Sequence, residues 1–234
     1  MKFINSKPRL VVLTGAGISA ESGIRTFRDS GGLWEGYDVN EIATPEGWRK
    51  NPERVLRFYN ERRKNIAAAV PNAAHIGLAA LEKCFDVTII TQNVDDLHER
   101  AGSSKVIHLH GEIFKMRSEY DTSIIKEIKG DIQLGDMAED GHQFRPHIVW
   151  FGEAVPMMDT ATAITYHAEI FVIVGTSMVV YPAAGLINYV EIDVPKFVID
   201  KEIPSLPAMK NLTLIEKPAT TGVKELSKLL KDLP

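Results

Sequence analysis

The sequence predicts an α/β fold, a parallel sheet covered by helices on both faces. Three features carry this reading. Short apolar runs rich in β-branched residues recur along the chain, amphipathic stretches separate them, and a glycine-rich turn follows the first run directly. The runs are apolar throughout and do not alternate, which marks strands buried on both faces. Arg9–Thr14, Asp86–Thr91 and Glu169–Val174 fit this pattern, and Lys196–Asp200 and Asn211–Ile215 follow it more loosely.

The helices have their own signals. Residues 52–69 open on Asn51 and Pro52, a cap followed by proline at the first helical position. Residues 72–84 start on the cap Asn72 and are rich in alanine and leucine, and residues 220–233 set Val223, Leu226, Leu229 and Leu230 at helical spacing. Residues 112–144 break the rhythm. They are polar, acidic and turn-rich, and they read as a small inserted module with a hairpin tip at Lys129-Gly130-Asp131. Residues 1–111 and 145–234 form the large part of a single domain, a size that 234 residues allow.

Composition narrows the function. With 44% hydrophobic and 25% charged residues the chain has an ordinary globular balance, so a sizeable core is expected. The net charge of −4 contains no basic block, which argues against nucleic acid as a partner. No stretch reaches the roughly 20 apolar residues of a membrane span, and the first residues lack an apolar signal core. We therefore expect a cytoplasmic protein, monomeric and without a membrane partner. The single cysteine, Cys84, excludes a disulfide framework and a multi-cysteine zinc site. It falls on the apolar side of a predicted helix and reads as an inert core thiol.

The turn after the first strand is Gly15-Ala16-Gly17-Ile18-Ser19-Ala20. Strand, glycine turn, then helix is the dinucleotide-binding arrangement of a Rossmann-like sheet. Gly15 permits the tight turn, Gly17 lets the backbone approach a pyrophosphate whose charge free N–H groups can accept, and Ala20 permits close packing of helix on sheet. A dehydrogenase would place an acidic residue about 20 positions on, at the end of a second strand. Here that region is the glycine-dense 28–37, with acids but no apolar strand before them, so hydride transfer is poorly supported. Phe27, Arg28 and Trp34 read instead as part of a flap over the cofactor, with a plain surface loop as the bland alternative.

Three further segments stand at strand ends or short runs: Thr91-Gln-Asn-Val-Asp-Asp-Leu-His98, His108-Leu-His-Gly111 and Gly175-Thr-Ser177. Gln92, Asn93 and Asp95 follow a buried strand, at the sheet edge where ligands bind. Their amides and carboxylate suit ribose hydroxyls and nicotinamide, although Asp95 or Asp96 can equally cap the helix that follows. His110 carries the side chain that titrates near neutrality, and His108 is its rival, since alternation puts both on one strand face. His75 and His98 read as structural histidines.

With Gly15–Arg28 and Arg145-Pro-His-Ile-Val-Trp-Phe-Gly-Glu153, these segments resemble the sirtuin family in the family's own order, from about residue 9 to the C-terminus. The resemblance implies a lysine deacylase that consumes NAD as co-substrate and acts on acylated lysine side chains of proteins. The acyl oxygen attacks the ribose carbon that bears nicotinamide, nicotinamide leaves, and an imidate links substrate to ADP-ribose. A ribose hydroxyl activated by a histidine base then attacks it, giving O-acyl-ADP-ribose. The resemblance favours His110 over His108 as that base and places Asn93 beside it. It assigns NAD contacts to Gly15, Ala16, Gly17, Ala20, Phe27, Arg28, Trp34, Gln92, Asn93, Asp95, Gly175, Thr176, Ser177, Asp200 (where the family usually has asparagine) and Ala219. It assigns the substrate backbone to Val149, Phe151, Val179 and Val180, by strand addition.

Tyr59 and Arg62 share a helix face, where a guanidinium can grip a carboxylate and a phenol can add a bond. The bland reading is a solvated arginine among Arg54, Arg57, Arg63 and Lys64. The Tyr-x-x-Arg pair resembles the subgroup that removes succinyl and malonyl groups. One departure is plain. The family's small module usually holds zinc on cysteine pairs, and residues 112–144 contain none. We expect no zinc there, its place taken by packing of Ile113, Met116, Ile124, Ile125, Ile128 and Ile132. Two other activities fit the same cofactor residues: NAD-dependent protein ADP-ribosyl transfer, which Tyr59 and Arg62 argue against, and non-enzymatic NAD binding, which an intact His110 argues against.

Overall fold

The computed structural model describes residues 7–25, 33–34, 36–206 and 208–232. Its strands are β1 (Arg9–Thr14), β2 (Leu33–Trp34), β3 (Tyr37–Asp38), β4 (Asp86–Thr91), β5 (Val106–His108), β6 (Gly111–Ser118), β7 (Ile125–Glu127), β8 (Phe144–Ile148), β9 (Ile170–Val174), β10 (Lys196–Asp200) and β11 (Leu212–Glu216). Its α-helices are α1 (Ala16–Ser19), α2 (Val39–Ile42), α3 (Pro45–Lys50), α4 (Pro52–Ala68), α5 (Ala73–Leu81), α6 (Leu97–Arg100), α7 (Met158–Tyr166) and α8 (Ala219–Leu229). A 3₁₀ segment runs over Ala183–Tyr189.

Six strands form one parallel sheet in the order β11-β10-β9-β1-β4-β5. The five apolar runs read from the sequence are five of these strands. Alternation along β1 sends Leu10 and Val12 to one face, against α5 and α8, and Val11 and Leu13 to the other, against α7 and the 3₁₀ segment. Both faces are thus covered, as an all-parallel sheet requires. Strand order reverses between β1 and β9, so the crevice at their carboxyl ends is the place where a ligand is expected.

A third core lies off the sheet. Val55, Leu56, Phe58, Tyr59 and Ile66 of α4 pack with Ile113, Ile132, Phe144, Ile148 and Trp150. Ile113, Phe144 and Ile148 belong to a separate three-stranded antiparallel sheet, β7-β6-β8, whose central strand begins at Gly111 and whose outer strand β8 ends at Ile148, and Ile132 and Trp150 lie in the segments beside it. Arg63 fastens this sheet to α4: its Nε donates to the Ile113 carbonyl at 2.8 Å and its Nη1 to the Gly130 carbonyl at 3.1 Å.

Several expectations need correcting. The helix from Asn72 stops at Leu81, and residues 82–84 turn over through bonds to the carbonyls of Ala79, Ala80 and Leu81. Cys84 therefore sits in an exposed turn, not in the core. The last helix is Ala219–Leu229, shorter than the span 220–233 at its far end. The hairpin turns at 119–124, between β6 and β7, whereas Lys129 and Gly130 are a bend beyond β7. Ile125 is exposed on the short outer strand, while Ile113 and Ile132 are buried. Of His108 and His110, only His108 belongs to a strand. His110 lies in the bend before Gly111, whose φ of +84° and whose absent Cβ, 2.1 Å from the His147 carbonyl oxygen if built, both require glycine.

Among the described residues, no cluster of three His, Cys, Asp or Glu could hold a metal ion. The small sheet's loops converge instead on Gln143. Its Nε2 lies 2.9, 3.1 and 2.9 Å from the carbonyl oxygens of Gln133, Asp136 and Phe144, and its Oε1 accepts from the Gly135 N–H at 2.7 Å. The Gln133 and Asp136 carbonyls also accept from the N–H groups of Asp136 and Phe144, so removing this amide orphans chiefly the Gly135 N–H and loosens the rest. Gln143→Ala is expected to cost about 1–3 kcal/mol in chemical denaturation, the penalty of orphaned buried polar groups. A loss below the noise of the measurement would show that the loops do not depend on this side chain.

Candidate functional site

The crevice begins where two glycine turns meet. The Gly15 N–H donates to the Val174 carbonyl at 3.0 Å and the Gly17 N–H to the Gly175 carbonyl at 2.8 Å. A Cβ on Gly15 would stand 2.7 Å from the Gly175 oxygen, and one on Gly17 2.7 Å from the Gly175 Cα. These glycines are required by the approach of one backbone to another. The expected row of free N–H groups is also reduced, because Gly15, Gly17 and Ile18 donate inside the chain and α1 spans only four residues.

A cavity of about 580 Å³ opens beside this contact. Gly15, Ala16, Gly17 and Ala20 line it from the first turn, Gln92, Asn93 and Asp95 from the end of β4, and Gly175, Thr176 and Ser177 from the end of β9. Asp200, at the end of β10, and Ala219, at the start of α8, close one end. His110, Tyr59, Arg62, Val149, Phe151, Val179 and Val180 also line it. The strand-end positions read from the sequence thus converge on one cavity. Phe27 and Arg28 lie outside the described residues, and Trp34 is described only by its backbone, paired with Tyr37.

The cavity wall is bonded across elements. Gln92 Nε2 donates to Thr176 Oγ1 at 3.0 Å, which links the ends of β4 and β9. Asn93 Nδ2 donates to the Gly15 carbonyl at 3.1 Å and to Ser19 Oγ at 3.2 Å. Asp95 accepts from Ser19 Oγ at 3.1 Å and from the Leu97 N–H at 3.2 Å, so it braces the turn into α6, whose N-cap is Asp96, and faces the cavity at once. Its burial pushes the carboxyl above its usual range, against the pull of those two hydrogen bonds.

The two histidines divide. His110 Nδ1 is 3.0 Å from the Gln92 carbonyl oxygen. Burial holds its pKa below the ordinary imidazole value, against a smaller upward pull from that hydrogen bond. His108 points the other way, its Nδ1 3.1 Å from the Asn93 carbonyl and its Nε2 2.7 Å from Glu99. Burial lowers the His108 pKa, but the Glu99 hydrogen bond and the charges of Glu99 and Glu112 carry it above the ordinary value. His75 and His98 are fully buried beneath the site, at 4.9 Å between ring centroids. His98 Nε2 is 3.1 Å from Thr14 Oγ1 and His75 Nδ1 accepts from the Asn72 N–H at 3.3 Å, both structural contacts.

The cations of α4 also divide. Arg54 pairs with Glu41 at 2.7 Å, Lys64 with Asp131 at 2.8 Å, and Arg57 is exposed. Arg62, 6% exposed, lines the cavity with Tyr59, which is fully buried. Burial raises the Tyr59 phenol well above its usual pKa, so it keeps its proton at neutral pH.

The segments expected to meet the substrate backbone flank the cavity. Neither is a strand. The Val149 N–H donates to the His110 carbonyl at 2.9 Å, the Phe151 N–H to the Ala43 carbonyl at 3.0 Å, and the Val180 carbonyl accepts from Ala184 at 2.9 Å. These three groups are engaged within the chain. Among the lining residues that escaped the sequence reading are Ser19 and Trp150, although both stand inside motifs quoted for other members.

Comparison with known proteins agrees with this geometry. The sequence profile of the Sir2 family matches residues 15–182. A Bacteroides thetaiotaomicron protein named NAD-dependent protein deacylase is 52% identical over 231 residues, 96% of this chain and 99% of its own length. A Helicobacter pylori protein of the same name is 51% identical over 217 residues, 93% of this chain and 95% of its own. A solved Sir2 homologue in complex with NAD superposes with a TM-score of 0.86 at 37% identity, covering 97% of this chain and 90% of that one. A Sir2 protein bound to an acetylated peptide superposes with a TM-score of 0.78 at 28% identity, covering 97% and 95%. On its motifs, its fold and these matches, the chain belongs to the Sir2 family.

Proposed function

We propose that this protein is an NAD-dependent protein-lysine deacylase that accepts acidic acyl groups and uses His110 as its general base. The relatives named above support the deacylase activity, and the cavity supports the finer reading. The single observation that carries it is the bond between His110 Nδ1 and the Gln92 carbonyl. A carbonyl can only accept, so Nδ1 carries the hydrogen and Nε2 keeps its lone pair. Burial disfavours the imidazolium, so the base is neutral and ready at physiological pH.

In this reading the adenosine half of NAD lies toward Thr176, Ser177, Asp200 and Ala219, and the nicotinamide ribose lies among Gln92, Asn93, Asp95 and His110. The acyl oxygen of the substrate bonds to the ribose carbon as the bond to nicotinamide breaks. His110 Nε2 takes the proton of a ribose hydroxyl, whose oxygen then attacks the acyl carbon. The bond between the acyl carbon and the lysine nitrogen then breaks, the amine leaves with a proton, and water adds to the acyl carbon left bridging two ribose oxygens, so that one of them is released as a hydroxyl and O-acyl-ADP-ribose remains. The chain supplies position and a proton acceptor, and general-base catalysis of this kind is worth roughly 100- to 10,000-fold.

The acyl end of the cavity is set by Tyr59 and Arg62. A guanidinium meets a succinyl or malonyl carboxylate in the bidentate manner, while a protonated phenol donates a further bond.

His110→Ala is expected to lower kcat roughly 100- to 10,000-fold. In the wild type, the acid limb of the kcat/KM profile should lie below the ordinary imidazole value of about 6.5, because a depressed pKa keeps the base neutral to lower pH. A limb well above that value would contradict a desolvated base. Arg62→Met should lower the ratio of desuccinylation to deacetylation, compared as kcat/KM, by about tenfold or more. Equal loss of both activities would remove the acid pocket.

A further inference from the structure

The wall behind Tyr59 is a polar cluster set in apolar surroundings. Trp150 Nε1 donates to Tyr59 Oη at 3.0 Å. The indole is 2% exposed and is held from several sides. The Arg145 guanidinium lies 3.1 Å above its ring centroid, and the Trp48 ring packs at 5.8 Å. Glu153 accepts from the Trp150 N–H of the backbone at 2.8 Å and from Arg145 Nη1 at 2.7 Å, and Arg117 approaches it at 3.3 Å. Arg145 Nη2 donates to the Ile148 carbonyl at 2.8 Å. So many contacts leave the indole one orientation, and that orientation aims its N–H at the phenol oxygen.

An indole N–H is a donor only, whereas a phenol both donates and accepts. With its oxygen already accepting from Trp150, the Tyr59 hydrogen is turned away from the indole. A carboxylate accepts and never donates, so it rewards a phenol presented in this way. An acetyl group ends in a methyl and gains nothing from it.

We propose that Trp150 is a positioning residue for acyl-group selectivity, its indole N–H holding the Tyr59 hydroxyl oriented to donate to an acyl carboxylate beside Arg62. The inference rests on the acidic-acyl reading above. Burial keeps the Tyr59 proton in place, so the donor is present across the working pH range. The Arg145–Glu153 pair and Arg117 act at one remove, by fixing the indole.

The test is a double-mutant cycle on the full chain, with NAD and peptides carrying acetyl-lysine or succinyl-lysine. Trp150→Phe keeps an aromatic ring under Arg145 and removes the N–H. It should raise KM for the succinyl peptide roughly three- to tenfold relative to the acetyl peptide, about what a partly lost hydrogen bond is worth, with kcat for succinyl shifted less. In a Tyr59→Phe background the same substitution should leave the succinyl-to-acetyl ratio within about twofold, since the oxygen it orients is gone. Additive effects, or parallel losses with both peptides, would overturn the proposal. If Trp150→Phe does not fold, benzothienylalanine at position 150 keeps the bicyclic shape without the N–H and must show the same coupling. Arg62→Met separates the two levels: no change of acyl preference there defeats the acid pocket itself, whereas a normal Arg62 effect with no Trp150–Tyr59 coupling defeats only this inference.

Discussion

The site depends on one close contact, the packing of the turn after β1 against the turn after β9. Gly15 and Gly17 press on Gly175 so tightly that a single Cβ on either would meet backbone atoms at 2.7 Å. That approach lies at the point where strand order reverses, and it sets how closely the turns after β1 and β9 stand. The rest follows by hydrogen bonds from it. Asn93 reaches the Gly15 carbonyl, Gln92 reaches Thr176, and the Gln92 carbonyl in turn orients His110. The two ends of the crevice are thus fixed by the same backbone contact, which is why a pre-formed dinucleotide site needs so few side chains of its own.

In and beneath the cavity wall runs a layer of buried polar groups: Ser19, Asn93 and Asp95 line it, and Thr14, His75, Thr91 and His98 lie behind them. Most are bonded to one another, as Thr14 Oγ1 is to Thr91 Oγ1 at 2.9 Å and Ser19 Oγ is to Asp95 at 3.1 Å. Such a network is rigid when satisfied and expensive when it is not. Burial lowers His75 to about 4 and puts His98 well below the ordinary value, so both imidazoles are neutral at physiological pH and add no charge beneath the site. Among the described residues, His98 Nδ1 has no hydrogen-bond partner, a cost held directly below the loop that carries Gln92 and Asn93.

The main sheet was legible because both-face burial writes itself into continuous apolar runs, and the five runs fell within about a residue of five observed strands. Motif residues at strand ends were legible too, since a parallel sheet brings those ends together. What escaped were features set by tertiary contact. Helices α2, α3 and α7 are short or rich in threonine and show little periodicity. Residues 82–84 continue a helical composition, yet the chain turns there and leaves Cys84 in solvent. His108 and His110 are two apart in a run that looks like a strand, and only the positive φ at Gly111 shows that the strand has already ended. The role of Gly15 and Gly17 in backbone packing, and the hold of Trp150 on Tyr59, depend on partners roughly 90 or more residues away and leave no mark in local pattern.

The most direct test of the account is calorimetric titration of NAD into the wild type and into Gly15→Ala, with folding of both checked by circular dichroism. The account predicts saturable one-site binding to the wild type and binding weaker by at least about tenfold to a folded Gly15→Ala, whose added methyl forces the two turns apart. Absence of binding to the wild type, or equal affinity for both proteins, would contradict it.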